Sequence, residues 1–103
     1  MGKKRTTKEQ LIRKIVRDTK VDYLSVKIVY RSLEDLIYQL LEEVNQEQDA
    51  EIKLFDGMTV EGKYIPHGKK INNITGNEIE YAARIRPHVK VSRRCSERIN
   101  HLV

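Results

Sequence analysis

Tryptophan is absent from this chain, and phenylalanine and cysteine each occur once, as Phe55 and Cys95. With 39% hydrophobic residues in a length of 103, one small domain can build a single modest core but no deep pocket. Such a core is marginal for a lone chain, so a core shared with a second chain is expected. One cysteine excludes an intramolecular disulfide and a cysteine-based zinc site. Cys95 reads instead as a small core residue. No apolar run is long enough to span a membrane. The basic start, MGKKRTTKEQ, leads into no apolar signal core and makes a poor myristoylation site. The expectation is a protein that stays within the cell or particle that makes it.

Catalytic constellations are missing as well. His67, His88 and His101 are scattered, without metal-ligand spacing and without a Ser or Cys partner at a recognisable elbow. The stretches EGK and GNEIE are not phosphate loops. Asn73-Ile74-Thr75 satisfies the glycosylation sequon, but with no export signal it reads as coincidence. We therefore expect no enzyme, no cofactor and no metal.

What the chain does have is charge, unevenly distributed. Residues 1–20 hold eight Lys/Arg against two acids, residues 21–51 two against eight, and residues 52–103 ten against five. A basic head, an acidic middle and a basic second half suit a molecule with one face toward a polyanion. The alternative is that the net +5 only keeps the protein soluble.

Hydrophobic period divides the chain into elements. Thr7 with Gln10 forms a capping box, with Thr6 and Glu9 an equivalent register. Leu11, Ile12, Ile15 and Val16 follow at helical spacing, so a short amphipathic helix is expected to end near Thr19 and Lys20. Asp22 can cap a second helix. Its apolar stripe runs through Val26, Val29, Tyr30, Leu33, Leu36, Ile37, Leu40, Leu41 and Val44, which is more than the first helix can cover. NQEQDAE (Asn45 to Glu51) reads as a loop. From Ile52 the period becomes alternating. Asp56-Gly57 is a turn signal, and Met58 and Val60 continue as a second strand. Gly62, Pro66 and Gly68 are expected to break regularity. GKKINNITGNEIE (Gly68 to Glu80) then makes a projecting hairpin, and a third strand runs past Pro87 to Val91. Ser92 caps a last short helix, with Cys95 and Ile99 facing inward and Arg93, Arg94 and Arg98 facing out. The fold class is α+β: two helices, a three-stranded antiparallel sheet with a long β-ribbon arm at about 62–84, and a C-terminal helix over 92–100. The expected organisation is one domain over 1–103, with a basic tail at 1–6, a helical dimerisation half at 7–45 and the sheet at 52–91.

That order resembles the HU and integration host factor family of small dimeric bacterial DNA-bending proteins. TKEQLIRKI (Thr7 to Ile15) is similar to the family's opening helix, and the stripe from Val26 to Leu41 to its dimer-forming helix. IKLFDGMTVEGK (Ile52 to Lys63) resembles its strand–turn–strand. NNITGNEIEYAARIRPHVKVS (Asn72 to Ser92) resembles its arm tip and returning strand, with Pro87 at a proline of that return.

The resemblance implies an intertwined homodimer or heterodimer, with Val29, Leu33, Leu36, Ile37, Leu40 and Phe55 in the shared core. Two arms would reach into the minor groove of double-stranded DNA and bend or compact it with little sequence specificity. Phosphate contacts would come from Lys3, Lys4, Arg5, Lys63, Lys69, Lys70, Arg84, Arg86, Lys90, Arg93, Arg94 and Arg98, each of which also reads as a solvated charge. The arm tip is Ile71, Asn72, Asn73, Ile74, Thr75 and Gly76. Where the family wedges a proline between base pairs, this chain has Asn73. Ile71 and Ile74 then stand either as replacement wedges or as packing across the hairpin. Glu61, Glu78 and Glu80 offset the arm's bases, which predicts weaker binding than a fully basic arm gives. The implied location is the bacterial cytoplasm and nucleoid, or a phage particle. The competing reading is an interaction protein, such as a phage component with a virion protein partner or a heterodimer subunit, that keeps the fold with a reduced DNA role.

Overall fold

The computed structural model describes residues 2–71 and 73–101, and they fall into two compact units, residues 1–37 and 38–103. The first unit opens on helix α1 (Lys8–Thr19). Thr7 and Gln10 close the capping box reciprocally. The Gln10 amide donates to Thr7 Oγ1 at 3.2 Å and the Thr7 amide donates to Gln10 Oε1 at 2.8 Å, so two otherwise orphaned donors are satisfied. The helix stops at Lys20, which takes a left-handed conformation (φ 60) and donates its amide to Val16 O at 2.8 Å.

Helix α2 (Tyr23–Glu42) follows after three residues. Asp22 caps it as the sequence indicates. Its carboxylate accepts from the Ser25 amide at 2.9 Å and from Ser25 Oγ at 2.8 Å, and these bonds hold the carboxyl below its usual range. Polar links join the two helices. Tyr23 Oη donates to Glu9 Oε1 at 2.6 Å, Arg13 lies 5.3 Å over the Tyr23 ring, and Lys8 pairs with Glu34 at 3.2 Å. The short Tyr23 bond is the main cause that lowers the Glu9 carboxyl and raises the Tyr23 phenol. Ile12 (5% exposed) and Val26 form the unit's small buried centre. Val29, by contrast, is 68% exposed, and Leu33 and Leu36 are also open to solvent.

The second unit takes the end of α2 and the remainder of the chain. The loop after the helix is shorter than NQEQDAE, because strand β1 (Ala50–Phe55) already includes Ala50 and Glu51. Asn45 shapes it, its side chain accepting from the Glu47 amide at 2.9 Å in an Asx turn. Asp49 Oδ1 accepts from the Tyr64 amide at 3.1 Å, supporting strand β2 (Met58–Ile65) just beyond the end of its ladder with β1. Strand β5 (Arg84–Val91) completes an antiparallel sheet of order β1-β2-β5.

The β1–β2 hairpin turns at Asp56-Gly57 as expected, with a register shift between Lys53 and Phe55 that alternation alone does not reveal. Gly57 has φ 92, and a Cβ there would lie 2.8 Å from the Cβ of Cys95. The turn therefore has to be glycine both for its backbone and for the close approach of helix α3 (Arg93–Asn100). The Ser92 amide anchors that helix by donating to Gly57 O at 2.8 Å.

Three expectations need correction. Gly62 does not break the sheet. It is a buried residue within β2, where a Cβ would come within 2.9 Å of Leu41 and 3.0 Å of Val44. Ser92 stands at the N-cap of α3 but its side chain makes no capping bond. Ile99 does not face inward: it is 69% exposed, whereas Cys95, one turn earlier and against Gly57, is buried. None of the helices among the described residues is long and apolar enough to cross a membrane.

Candidate nucleic-acid interface

A ribbon of two successive antiparallel ladders carries most of the basic residues of the second unit's strands. Strand β2 pairs with β5 from Met58↔Val91 to Ile65↔Arg84, and strand β3 (Gly68–Ile71) pairs with β4 (Glu78–Tyr81) from Gly68↔Tyr81 to Ile71↔Glu78. Between the two ladders two residues intervene on each strand, Pro66-His67 and Ala82-Ala83. The register is thus preserved across the interruption. Pro66, which offers no N–H, stands within the interruption. One hairpin has an inner and an outer segment.

Continuous register sorts the side chains onto two faces, since paired residues share a face and alternate along each strand. One face carries Met58↔Val91, Val60↔Val89, Gly62↔Pro87 and Tyr64↔Ile85, and further out Gly68↔Tyr81 and Lys70↔Ile79. It is largely apolar. The Tyr81 ring lies over Gly68, its hydroxyl 2.7 Å from where a Cβ would stand. The other face is charged, with Thr59↔Lys90, Glu61↔His88, Lys63↔Arg86 and Ile65↔Arg84 on the inner segment and Lys69↔Glu80 and Ile71↔Glu78 on the outer one.

The inner and outer bases differ in company. Lys63, Arg84, Arg86 and Lys90 are exposed and make no ion pair among the described residues. Lys63 and Arg86 stand directly opposite each other, an arrangement of like charges that works against the sheet. On the outer segment His67 Nε2 donates to Glu80 Oε1 at 2.8 Å, and Lys69 Nζ lies 3.9 Å from Glu78 Oε1. Lys70 is on the apolar face, apart from the other arm bases.

At the tip, Asn73 and Thr75 are exposed, Thr75 Oγ1 accepts from the Asn77 amide at 3.3 Å, and Gly76 takes φ 74. Asn72 lies outside the described residues. The Ile74 side chain is 94% exposed and Ile71 is also open to solvent, which runs against packing across the hairpin. On α3, Arg93 pairs with Glu97 at 2.8 Å, while Arg94 and Arg98 have no acidic partner among the described residues.

Lys3, Lys4 and Arg5 are exposed in the first unit. Lys4 and Arg5 line a hollow of about 270 Å³ with Thr6, Gln10, Arg13 and Lys14. Arg13 and Lys14 are not among the phosphate contacts that the sequence suggests. The helical spacing that carries Gln10 to the adjacent Arg13 and Lys14 is the signal that points to them.

Residues 6–100 match the model of a family described as bacterial DNA-binding protein. The chain belongs to this bacterial DNA-binding family, that of HU. A structure similar to it is the Anabaena HU–DNA cocrystal structure, with a TM-score of 0.66 at 14% identity, covering 91% of this chain and 97% of that one. At that identity the likeness establishes the α+β HU fold. No curated protein matches the chain.

Proposed function

We propose that this HU-family chain is a non-enzymatic architectural protein of the bacterial nucleoid. It binds double-stranded DNA through its ribbon arm in the minor groove and bends or compacts it with little sequence preference. The observation that carries the reading is the inner ribbon face. Lys63, Arg84, Arg86 and Lys90 share it, exposed and unneutralised, with Lys63 and Arg86 directly opposed. A sheet gains nothing from that pairing, whereas a phosphate backbone relieves it and releases counterions. The solved relative titled as an HU–DNA cocrystal supports the same reading.

The working form is a dimer. Support comes from apolar surface that the single chain leaves open: Val29, Leu33, Leu36 and Leu40 along α2, Phe55 (59% exposed) and Val89 and Val91 in the sheet region, and Ile99 on α3. Soluble monomers rarely leave this much unburied, and a second copy covers it. Ile71 and Ile74 take the wedge role that Asn73 cannot supply.

Fluorescence anisotropy with a random-sequence duplex at two salt concentrations tests the proposal. We expect saturable binding that weakens steeply as salt rises. A folded dimer, verified by native mass measurement, that fails to bind even at low salt would refute it and leave an interaction role for the fold.

A further inference from the structure

We propose that Glu78 and Glu80 act as a built-in brake on DNA affinity, engaging Lys69 and His67 of the outer arm so that the inner face does most of the binding. The inference rests on the DNA-binding reading above and adds to it which residues set affinity. Its basis is the register. Glu80 stands opposite Lys69 and reaches diagonally to His67, and Glu78 stands opposite Ile71 and reaches diagonally to Lys69. Diagonal neighbours on one face of an antiparallel pair are within reach of long side chains. Both acids therefore sit among the basic side chains of the charged face.

These pairs contribute little to holding the arm together. Their side chains are between 55% and 62% exposed, and solvated pairs of that kind add little stability. Toward a polyanion their effect is larger. Phosphate binding depends on how many cations neutralise phosphates and release counterions. Glu78 offsets the Lys69 cation, Glu80 engages the His67 ring, and each carboxylate brings its own negative charge to the groove. On the inner segment Glu61 stands opposite His88 and makes no ion pair among the described residues. The four inner bases keep their charge, and the two acids are concentrated where the arm reaches furthest along the chain.

The test is the double variant Glu78→Gln/Glu80→Gln in the full chain, with anisotropy on a random-sequence duplex across a salt series. A second double variant, Glu42→Gln/Glu47→Gln, makes the same change in net charge outside the ribbon's strands. We expect the arm variant to bind several-fold more tightly near 0.1 M salt. Its log–log salt dependence should steepen by about 1 for each additional phosphate that the freed cations neutralise. The control should stay within about twofold of the parent. Circular dichroism confirms folding, and if the double variant does not fold, Glu78→Gln and Glu80→Gln singly should each produce part of the tightening. A parent that binds DNA and an arm variant that binds it equally would overturn the brake while leaving the function intact. Equal tightening by arm and control variants would overturn it too, because overall charge would then suffice. A parent that binds no duplex would overturn the DNA reading and the brake with it.

Discussion

The inner and outer halves of the ribbon share one register but differ in how charge is arranged. On the inner half, like charges face each other: Lys63 opposes Arg86, with Arg84 and Lys90 on the same face. On the outer half, acids meet basic side chains, as Glu78 with Lys69 and Glu80 with the His67 ring. The first arrangement is mildly unfavourable for an isolated sheet and favourable for a sheet bound to phosphate. The second is closer to neutral in both settings. A count of bases along the arm treats the two halves alike, and only pairing separates them.

The sharpest way to break this comparison is to remove the inner charges. Lys63→Gln/Arg86→Gln should weaken binding to a random-sequence duplex by about tenfold or more near 0.1 M salt. It should also flatten the log–log salt slope by about 1 for each phosphate no longer neutralised. Stability in urea should hold or rise slightly, because the opposed charges are gone. Unchanged DNA affinity and slope, read by anisotropy titration, would mean that the inner face is not the phosphate platform.

Much of the scaffold is legible in the sequence, for reasons that are local. Thr7 with Gln10, Asp22 with Ser25, and Asp56-Gly57 each act within a few residues, so their chemistry is visible in the string. The change from helical to alternating period places the sheet. What stays hidden depends on which residue faces which. Gly62 looks like a breaker until Leu41 and Val44 are seen to need its missing Cβ. Ile99 looks like core until Cys95 proves to be the residue set against Gly57 and Ile99 is left exposed. The offset of Arg and Lys by Glu is readable as a sum, but the ion pairs that concentrate it on the outer half require the register across Pro66.

A smaller effect is expected at the tip. Ile74 and Ile71 project exposed side chains beyond or at the end of the outer ladder, where a wedge between base pairs would have to stand. Ile74→Ala should reduce the bend of a short duplex, measured by energy transfer between its labelled ends, and Ile71→Ala should reduce it less. Overall affinity should fall only a few-fold, since the phosphate-binding cations remain. If both variants bend DNA like the parent, neither isoleucine intercalates, and the two halves of the arm then differ in charge alone.

The smallest effect concerns the boundary itself. Pro66 stands between two ladders whose registers agree, so the separation is not a mismatch of strands, and Pro66 is the residue within it that cannot donate to a ladder. Replacing it with a β-former, Pro66→Val, should let the ladders join through residues 66–67 and 82–83. Amide exchange followed by NMR should then slow several-fold at Lys69, Lys70 and Ile79, while the amides of Val60 and Val89 change little. The global unfolding free energy should move by less than about 1 kcal/mol, because an exposed ribbon adds little buried surface. Exchange at the outer amides that is as fast as in the parent would show that the outer half opens for reasons beyond the proline. Its paired charges would then have to be judged on a segment that is independent of the sheet, and not on the distal end of one continuous arm.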